Sequence, residues 1–135
     1  MSLSRLELAT TGNGAIEITA WLRDVVAASG MDAGLCVVHV PHTTAGLSIT
    51  SYADPLGHED LHDDINRLIP TRIDFKHQHD TPQDAAGHIK SVLVGVNLTL
   101  IIAEAKLVLG SSQGVFFNEF DGPRKRHIMA KCLGG

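Results

Sequence analysis

The stretch "GVFFNEFDGPRKRHIMAKCLG", residues 114–134, decides the fold class. "GVFFNEFD" and "RHIMAKCLG" read as strands, and "DGPR" between them carries the Gly-Pro chemistry of a turn. Just upstream, "NLTLIIAEAKLVLG" (97–110) reads as a hairpin with its turn near Ala103 to Ala105. "GLCVVHV" (34–40) is a dense β-branched run suited to a central strand, "AGLSITSYA" (45–53) follows as another, and "LSRLELAT" (3–10) opens the series with Leu6 and Leu8 on one face.

Three helical segments interrupt the strands. In "TAWLRDVVAASG" (19–30), Trp21, Leu22, Val25 and Val26 form an apolar stripe, Thr19 is placed to cap and Gly30 to terminate. "DPLGHEDLHDDINRLIP" (54–70) starts on Asp-Pro and ends before Pro70; Leu61, Ile65 and Leu68 set its inward period. "TPQDAAGHIKSVLVG" (81–95) turns Ala85, Ile89, Val92 and Leu93 inward. Antiparallel strands with two or three inserted helices predict an α+β class. The 135 residues suit one domain, 1–135, large enough to hold a core without disulfides.

Apolar residues make up 44%, charged residues 19%, and the formal charge is −4. That balance is globular, and it excludes the broad basic field of a general nucleic-acid binder. The most apolar window, 92–110, is broken by Asn97, Glu104 and Lys106, which argues against a membrane span. No signal peptide is expected. Cys36 and Cys132 read as small buried hydrophobes, in keeping with a reducing cytoplasm.

Eight histidines offer two competing clusters. His58-Glu59-Asp60-Leu61-His62 matches H-E-x-x-H, in which two imidazoles one helical turn apart bind zinc and the glutamate acts as base. The helix start near Pro55 puts His58 in the first turn. The acids at 59, 60, 63 and 64 suit a solvated face, so His58 and His62 are expected to point mostly toward solvent. The second cluster is "FKHQHDTPQDAAGHIK" (75–90). His88 follows Asp84 by four residues, on the same helical face, where a carboxylate can orient the imidazole. His77 and His79 share one side of an extended chain. With His42, in "VPHTTAG", these residues suit either a metal with an open coordination position or a hydrogen-bonded polar rim.

A third candidate is "GSSQGVFFNEFDGPRKR" (110–126). Gly110 and Gly114 bracket Ser111, Ser112 and Gln113, so backbone N–H groups could converge on an anion. Glu119 is a carboxylate on the apolar strand face of Val115 and Phe117. Arg124, Lys125 and Arg126 follow at the turn, and arginine's fork matches phosphate. The bland alternative is a charged surface turn.

"HTTAGLSI", "ADP", a histidine before "DTPQDAAGHIKSVLVG", and "LVLGSSQGVFFNEFDGPRKR", in this order, resemble the YjbQ-like family, whose members are also called secondary thiamine-phosphate synthase enzymes. The resemblance runs from about residue 35 to the end. It implies an antiparallel β-sandwich-like core with two or three helices, a homotrimer, and a histidine site holding a metal or anion. His42, His77, Asp84, His88, Gln113 and Glu119 correspond to residues of the family's motifs; His79 has no clear counterpart. Ser111-Ser112 stands where the family pattern has Thr-Trp, which puts a shared substrate in question.

The resulting expectation is a metal-assisted enzyme, using zinc or magnesium, that joins a pyrimidine diphosphate to a thiazole phosphate and releases pyrophosphate. His42, His77 and His88, with His79 as an addition, would hold the metal. Lys90, Ser111, Ser112, Gln113, Arg124 and Arg126 would bind the phosphorylated metabolite. Glu119, Asp84 and Arg124 would serve catalysis. The alternatives are a non-catalytic module binding the same class of metabolite, and a small metalloprotease built on His58, Glu59 and His62.

Overall fold

The computed structural model describes residues 2–134. In chain order it contains β1 (Leu3–Ala9), β2 (Gly14–Glu17), α1 (Thr19–Ser29), β3 (Gly34–His39), β4 (Ala45–Ser51), α2 (Pro55–Leu68), α3 (Pro82–Val94), β5 (Asn97–Ala103), β6 (Lys106–Leu107), β7 (Gln113–Glu119) and β8 (Lys125–Leu133). All strand pairs are antiparallel. They form a five-stranded sheet, β1-β8-β3-β5-β6, and a three-stranded sheet, β2-β7-β4. The α+β class with three helices is therefore present.

The sheets enclose one core between them. Cys36 and Val38 of β3, Leu100 and Ile102 of β5, and Ile128, Ala130 and Cys132 of β8 alternate inward from the larger sheet. Val115 and Phe117 of β7 and Leu47 of β4 meet them from the smaller sheet, and Leu22 and Val26 of α1 close one side. Phe117 is fully buried, and burial of a side chain of this kind is worth about 1.5–3 kcal/mol.

Three local readings change. The 121–124 turn does not close a hairpin, because β7 and β8 lie in different sheets and the turn carries the chain from one to the other. The five-residue step from Glu119 to Arg124 therefore places the end of β7 across from the start of β8. Thr19 does not cap α1. It occupies the first helical position, and its hydroxyl accepts from the Val115 N–H (2.8 Å) and donates to Glu17 (2.8 Å), fastening the helix start to β7. Strand β2 was not anticipated, because four residues next to glycine carry too little pattern. The 103–106 turn is as expected: Glu104 and Ala105 both take positive φ (52° and 62°), the geometry of a tight two-residue hairpin.

The most consequential change concerns α2. Ile65 is buried and Leu61 half-buried, as expected, but Leu68 is 73% exposed. Strand β7 is covered on both faces. Val115, Phe117 and Glu119 look into the sandwich, while Phe116, Asn118 and Phe120 look outward to α2. The helix meets that outer face with His58, whose ring lies 4.2 Å from Phe116, and with His62, which packs on Phe120 and hydrogen-bonds Asn118 (2.9 Å).

Candidate metal centre

Helix α3 begins with Thr81 as its N-cap, whose hydroxyl accepts from the Asp84 N–H at 3.1 Å. This cap fixes Asp84 in the first turn, where a carboxylate also gains from the helix dipole. His88 follows one turn later on the same face. The connection between α2 and α3 returns His77 to this point. The Nε2 atoms of His77 and His88 lie 3.1 and 3.2 Å from the same carboxylate oxygen of Asp84, and the two rings meet edge-on with centroids 5.1 Å apart. Asp84 is buried, whereas both imidazoles are partly open to solvent. Burial opposes ionisation of Asp84. The His77 hydrogen bond and the neighbouring His88 outweigh it and hold the carboxyl below the usual carboxylate range.

Donor atoms of His77, Asp84 and His88 lie within 4.8 Å of one another. In a tetrahedral zinc site with bonds near 2.0–2.1 Å, ligand atoms are about 3.4 Å apart, so the observed His–Asp separations fit three corners of such a site. To ligate through Nε2, each neutral imidazole would carry its proton on Nδ1 instead. Exposed His77 and His88 leave the remaining coordination position facing solvent.

A second group of acids adjoins the first. Asp80, Asp84 and Asp121 converge within the same distance limit. The Arg124 guanidinium already occupies their neighbourhood, 2.8 Å from Asp121 and 3.6 Å from Asp80. Asp121 raises the Arg124 pKa further, and Gln83 hydrogen-bonds the other Asp121 oxygen (2.9 Å). Arg124 thus lies beside the cluster with its charge directed at carboxylates, where it was expected to clamp a phosphate.

The other expected residues lie elsewhere. Nε2 of His42 accepts from the His127 N–H at 2.9 Å, and its ring stacks with His127. Burial, then Arg126 and His127, push its pKa down. His42 is outside the group of converging donors, as is His79, whose ring is 6.4 Å from that of His77. Asp84 takes the third place that His42 was expected to fill. Glu119 and Arg126 lie between the sheets, 0% and 4% exposed, and bind each other through the guanidinium fork. Glu119 also accepts from Thr10 (2.8 Å) and the Asp121 N–H (3.0 Å), while Arg126 donates to Thr44 (2.8 Å). Burial resists the Glu119 charge, but these donors keep its pKa lowered. Within this chain neither residue is open to a ligand.

Lys90 is 2% exposed and donates to Asn66 (2.6 Å); burial lowers its pKa. Ser111, Ser112 and Gln113 are exposed at the opposite end of β7 from Glu119. Seven residues of strand span about 20 Å, so the 110–113 loop and the histidine cluster do not form one site within the chain. The Gln113 side chain accepts from the Gly110 N–H (2.8 Å), satisfying one of the expected anion donors. The loop instead borders a cleft of about 610 Å³ shared with Glu17, Arg23 and Tyr52. The H-E-x-x-H motif supplies no third ligand: among the described residues His58 and His62 belong to no converging donor group. Burial lowers the His62 pKa despite its bond to Asn118.

Sequence reasoning missed Arg72. With Lys76, His77 and His88 it lines an open cleft of about 480 Å³. Its guanidinium lies 4.0 Å above the Phe75 ring and 2.8 Å from Asp74, contacts that orient it at the cleft wall. Nothing in a loop of unremarkable composition signals that role.

A profile described as "UPF0047 protein YjbQ-like" matches residues 4–135. The chain belongs to the YjbQ-like UPF0047 family. Among relatives within it, UPF0047 protein MJ1081 of Methanocaldococcus jannaschii is 40% identical over 119 residues, 88% of this chain and 84% of that protein. UPF0047 protein YugU of Bacillus subtilis is 34% identical over 135 residues, 98% and 99% of the two chains. A YbjQ-like protein from Sulfolobus solfataricus, SSO2532, superimposes with a TM-score of 0.93 at 27% identity, covering 99% of this chain and 97% of that one. The YjbQ-like fold is thus the curled antiparallel pair of sheets described above, with its three helices.

Proposed function

We propose that this YjbQ-like protein is a metal-assisted enzyme acting on a phosphorylated metabolite, with His77, Asp84 and His88 as its metal ligands. The observation that carries this is the convergence of both Nε2 atoms on one buried Asp84 oxygen at 3.1 and 3.2 Å. A divalent ion bound there would act as a Lewis acid toward a phosphoryl oxygen. Arg72 and Lys76 line the same cleft and would attract the anionic substrate. Asp121, held by Gln83, orients Arg124 at the edge of the acid cluster. Thr81 fixes Asp84 through the helix cap.

The reaction to assay first is the joining of a pyrimidine diphosphate to a thiazole phosphate with release of pyrophosphate. A non-catalytic module binding the same metabolites is the second reading. It is favoured by the burial of Glu119 against Arg126, which withdraws the expected proton carrier. Metal content and zinc titration of the wild type, Asp84→Asn and His88→Ala test the ligand set. One equivalent in the wild type and at least a tenfold loss of affinity in each variant are expected. Unchanged affinity in both refutes the site. Turnover of the loaded protein then separates the two readings. On α3 only Ala85 of the expected inward residues is buried; Ile89, Val92 and Leu93 are 44%, 85% and 59% exposed, and with Leu68 of α2 (73%) they support the expected homotrimer.

A further inference from the structure

Cys36 and Cys132 are far apart in sequence, and by spacing alone they read as unrelated buried hydrophobes. The fold sets them directly opposite each other, as Cα partners on the antiparallel neighbours β3 and β8. Opposed residues of an antiparallel pair have Cα atoms about 4.5 or 5.5 Å apart and project to the same face. A disulfide needs Cα atoms about 4.4–6.8 Å apart. Both side chains enter the core cluster between the sheets, and both are free thiols. Their exposures differ: Cys36 is fully buried, whereas Cys132 retains 5% and lines a surface cleft of about 410 Å³ bordered by Ser4, Val25 and Met31.

We infer that Cys36 and Cys132 form a reversible dithiol–disulfide pair, oxidised from the cleft side by a small disulfide. Cys132, as thiolate, attacks one sulfur of the small disulfide and releases the other half as a thiolate. The sulfur of Cys36 then loses its proton to that thiolate and attacks Cys132, expelling the second half as a thiolate, which takes from water the proton that Cys132 gave up. Two protein thiols are oxidised by two electrons, and one small disulfide is reduced to two thiols. The order follows from access and acidity. Cys36 is sealed, and burial together with the neighbouring Cys132 pushes its thiol up to about 12, so it reacts second and slowly. The bond would join β8 to β3 beside the larger sheet's core, without contact to the histidine cluster.

The test uses folded, reduced protein incubated with hydroxyethyl disulfide, quenched with acid, alkylated and weighed intact. A monomeric chain lighter by about 2 Da and refractory to alkylation is expected, restored by dithiothreitol. Cys36→Ala should stop at a mixed disulfide on Cys132, and Cys132→Ala should not react while folded. Circular dichroism confirms that each variant is folded. A wild type that retains two alkylatable thiols, keeps a stable mixed disulfide, or couples only between chains overturns the proposal. So does a Cys132→Ala protein that reacts at Cys36 as fast as the wild type.

Discussion

Replacing Glu119 with glutamine separates a buried structural pair from a catalytic carboxylate. One carboxylate oxygen receives Arg126 Nη2 and the Asp121 N–H, and the other receives Arg126 Nε and the Thr10 hydroxyl. Glutamine has the same shape but turns one acceptor into an NH₂ donor. Whichever way the amide is flipped, that NH₂ faces a guanidinium nitrogen and a further donor. The charge of Arg126, 4% exposed, is left uncompensated at the same time. Breaking a buried pair from one side costs about 3–5 kcal/mol, a large share of the roughly 5–15 kcal/mol of a typical domain. With a urea slope near 2 kcal/mol/M, the midpoint should fall by about 2 M. Trp21 packs against the core and supplies the fluorescence signal, read at one fixed protein concentration. Glu119→Met combined with Arg126→Met should recover much of the loss, because the two vacated charges leave together. A Glu119→Gln protein within about 1 kcal/mol of the wild type, yet inactive toward its substrate, would refute the structural assignment.

Further outcomes are expected from the groups around the site. The double change His58→Ala and His62→Ala should leave bound metal unchanged while lowering stability by about 1–3 kcal/mol, since it strips packing from Phe116 and a hydrogen bond from Asn118; atomic absorption on the purified variant checks the first part, and metal loss would return the H-E-x-x-H helix to consideration. Lys90→Met should stabilise the fold by about 1–2 kcal/mol in urea denaturation, because a buried ammonium is removed and exposed Asn66 can turn to water. The sign with pH follows: between its lowered folded value and the ordinary 10.5, the unfolded chain holds more protons at Lys90, so wild-type stability rises with pH there and the rise is absent in Lys90→Met. On the acid side, His42 and His62 have lowered values, so stability falls as pH drops from the ordinary 6.5 through their folded values. Asp84 and Glu119, also lowered, contribute stability above their ordinary values of 3.8 and 4.5 that is lost as pH falls through their folded ones. A denaturation midpoint flat from pH 7 to 4 contradicts those directions.

The fold class was legible because most elements carry their own punctuation. Asp54-Pro55 and Thr81-Pro82 open helices, Gly30 in the left-handed conformation ends one, and the β-branched runs are strands. The pairing of β7 and β8 with other strands was not legible. "DGPR" has the composition of a hairpin turn, and local residues do not reveal that the flanking strands bond to β4 and β1 instead. In the site, Asp84 and His88 were legible because helical period puts i and i+4 together. His77 reaches them through a loop whose path no local pattern encodes. His42 was grouped with them from its place after a buried strand and from the resemblance, and the fold gives its Nε2 to the His127 amide.

The two largest misreadings share one cause, the double burial of β7. A strand covered on both faces leaves no solvent side, so a polar residue on it must be satisfied internally. Its inner face carries Glu119 into the sandwich, where Arg126 of the facing sheet answers it. Its outer face carries Asn118, which needs partners from the element above; Ser48 accepts from its amide and His62 meets its oxygen. His62 thus faces inward because it completes the hydrogen bonding of Asn118, His58 packs its ring on Phe116, and Leu56 and Leu68 lie on the exposed side of the helix. An isolated helical wheel weighs hydrophobicity alone and so puts Leu68 inside and His62 outside. If this account holds, Asn118→Leu should unsettle α2 specifically: His62 loses its partner, and amide hydrogen exchange should rise along 55–68 more than along 82–94. Equal protection of the two helices in that variant would show that apolar contacts alone seat α2, and that the imidazoles follow rather than direct it.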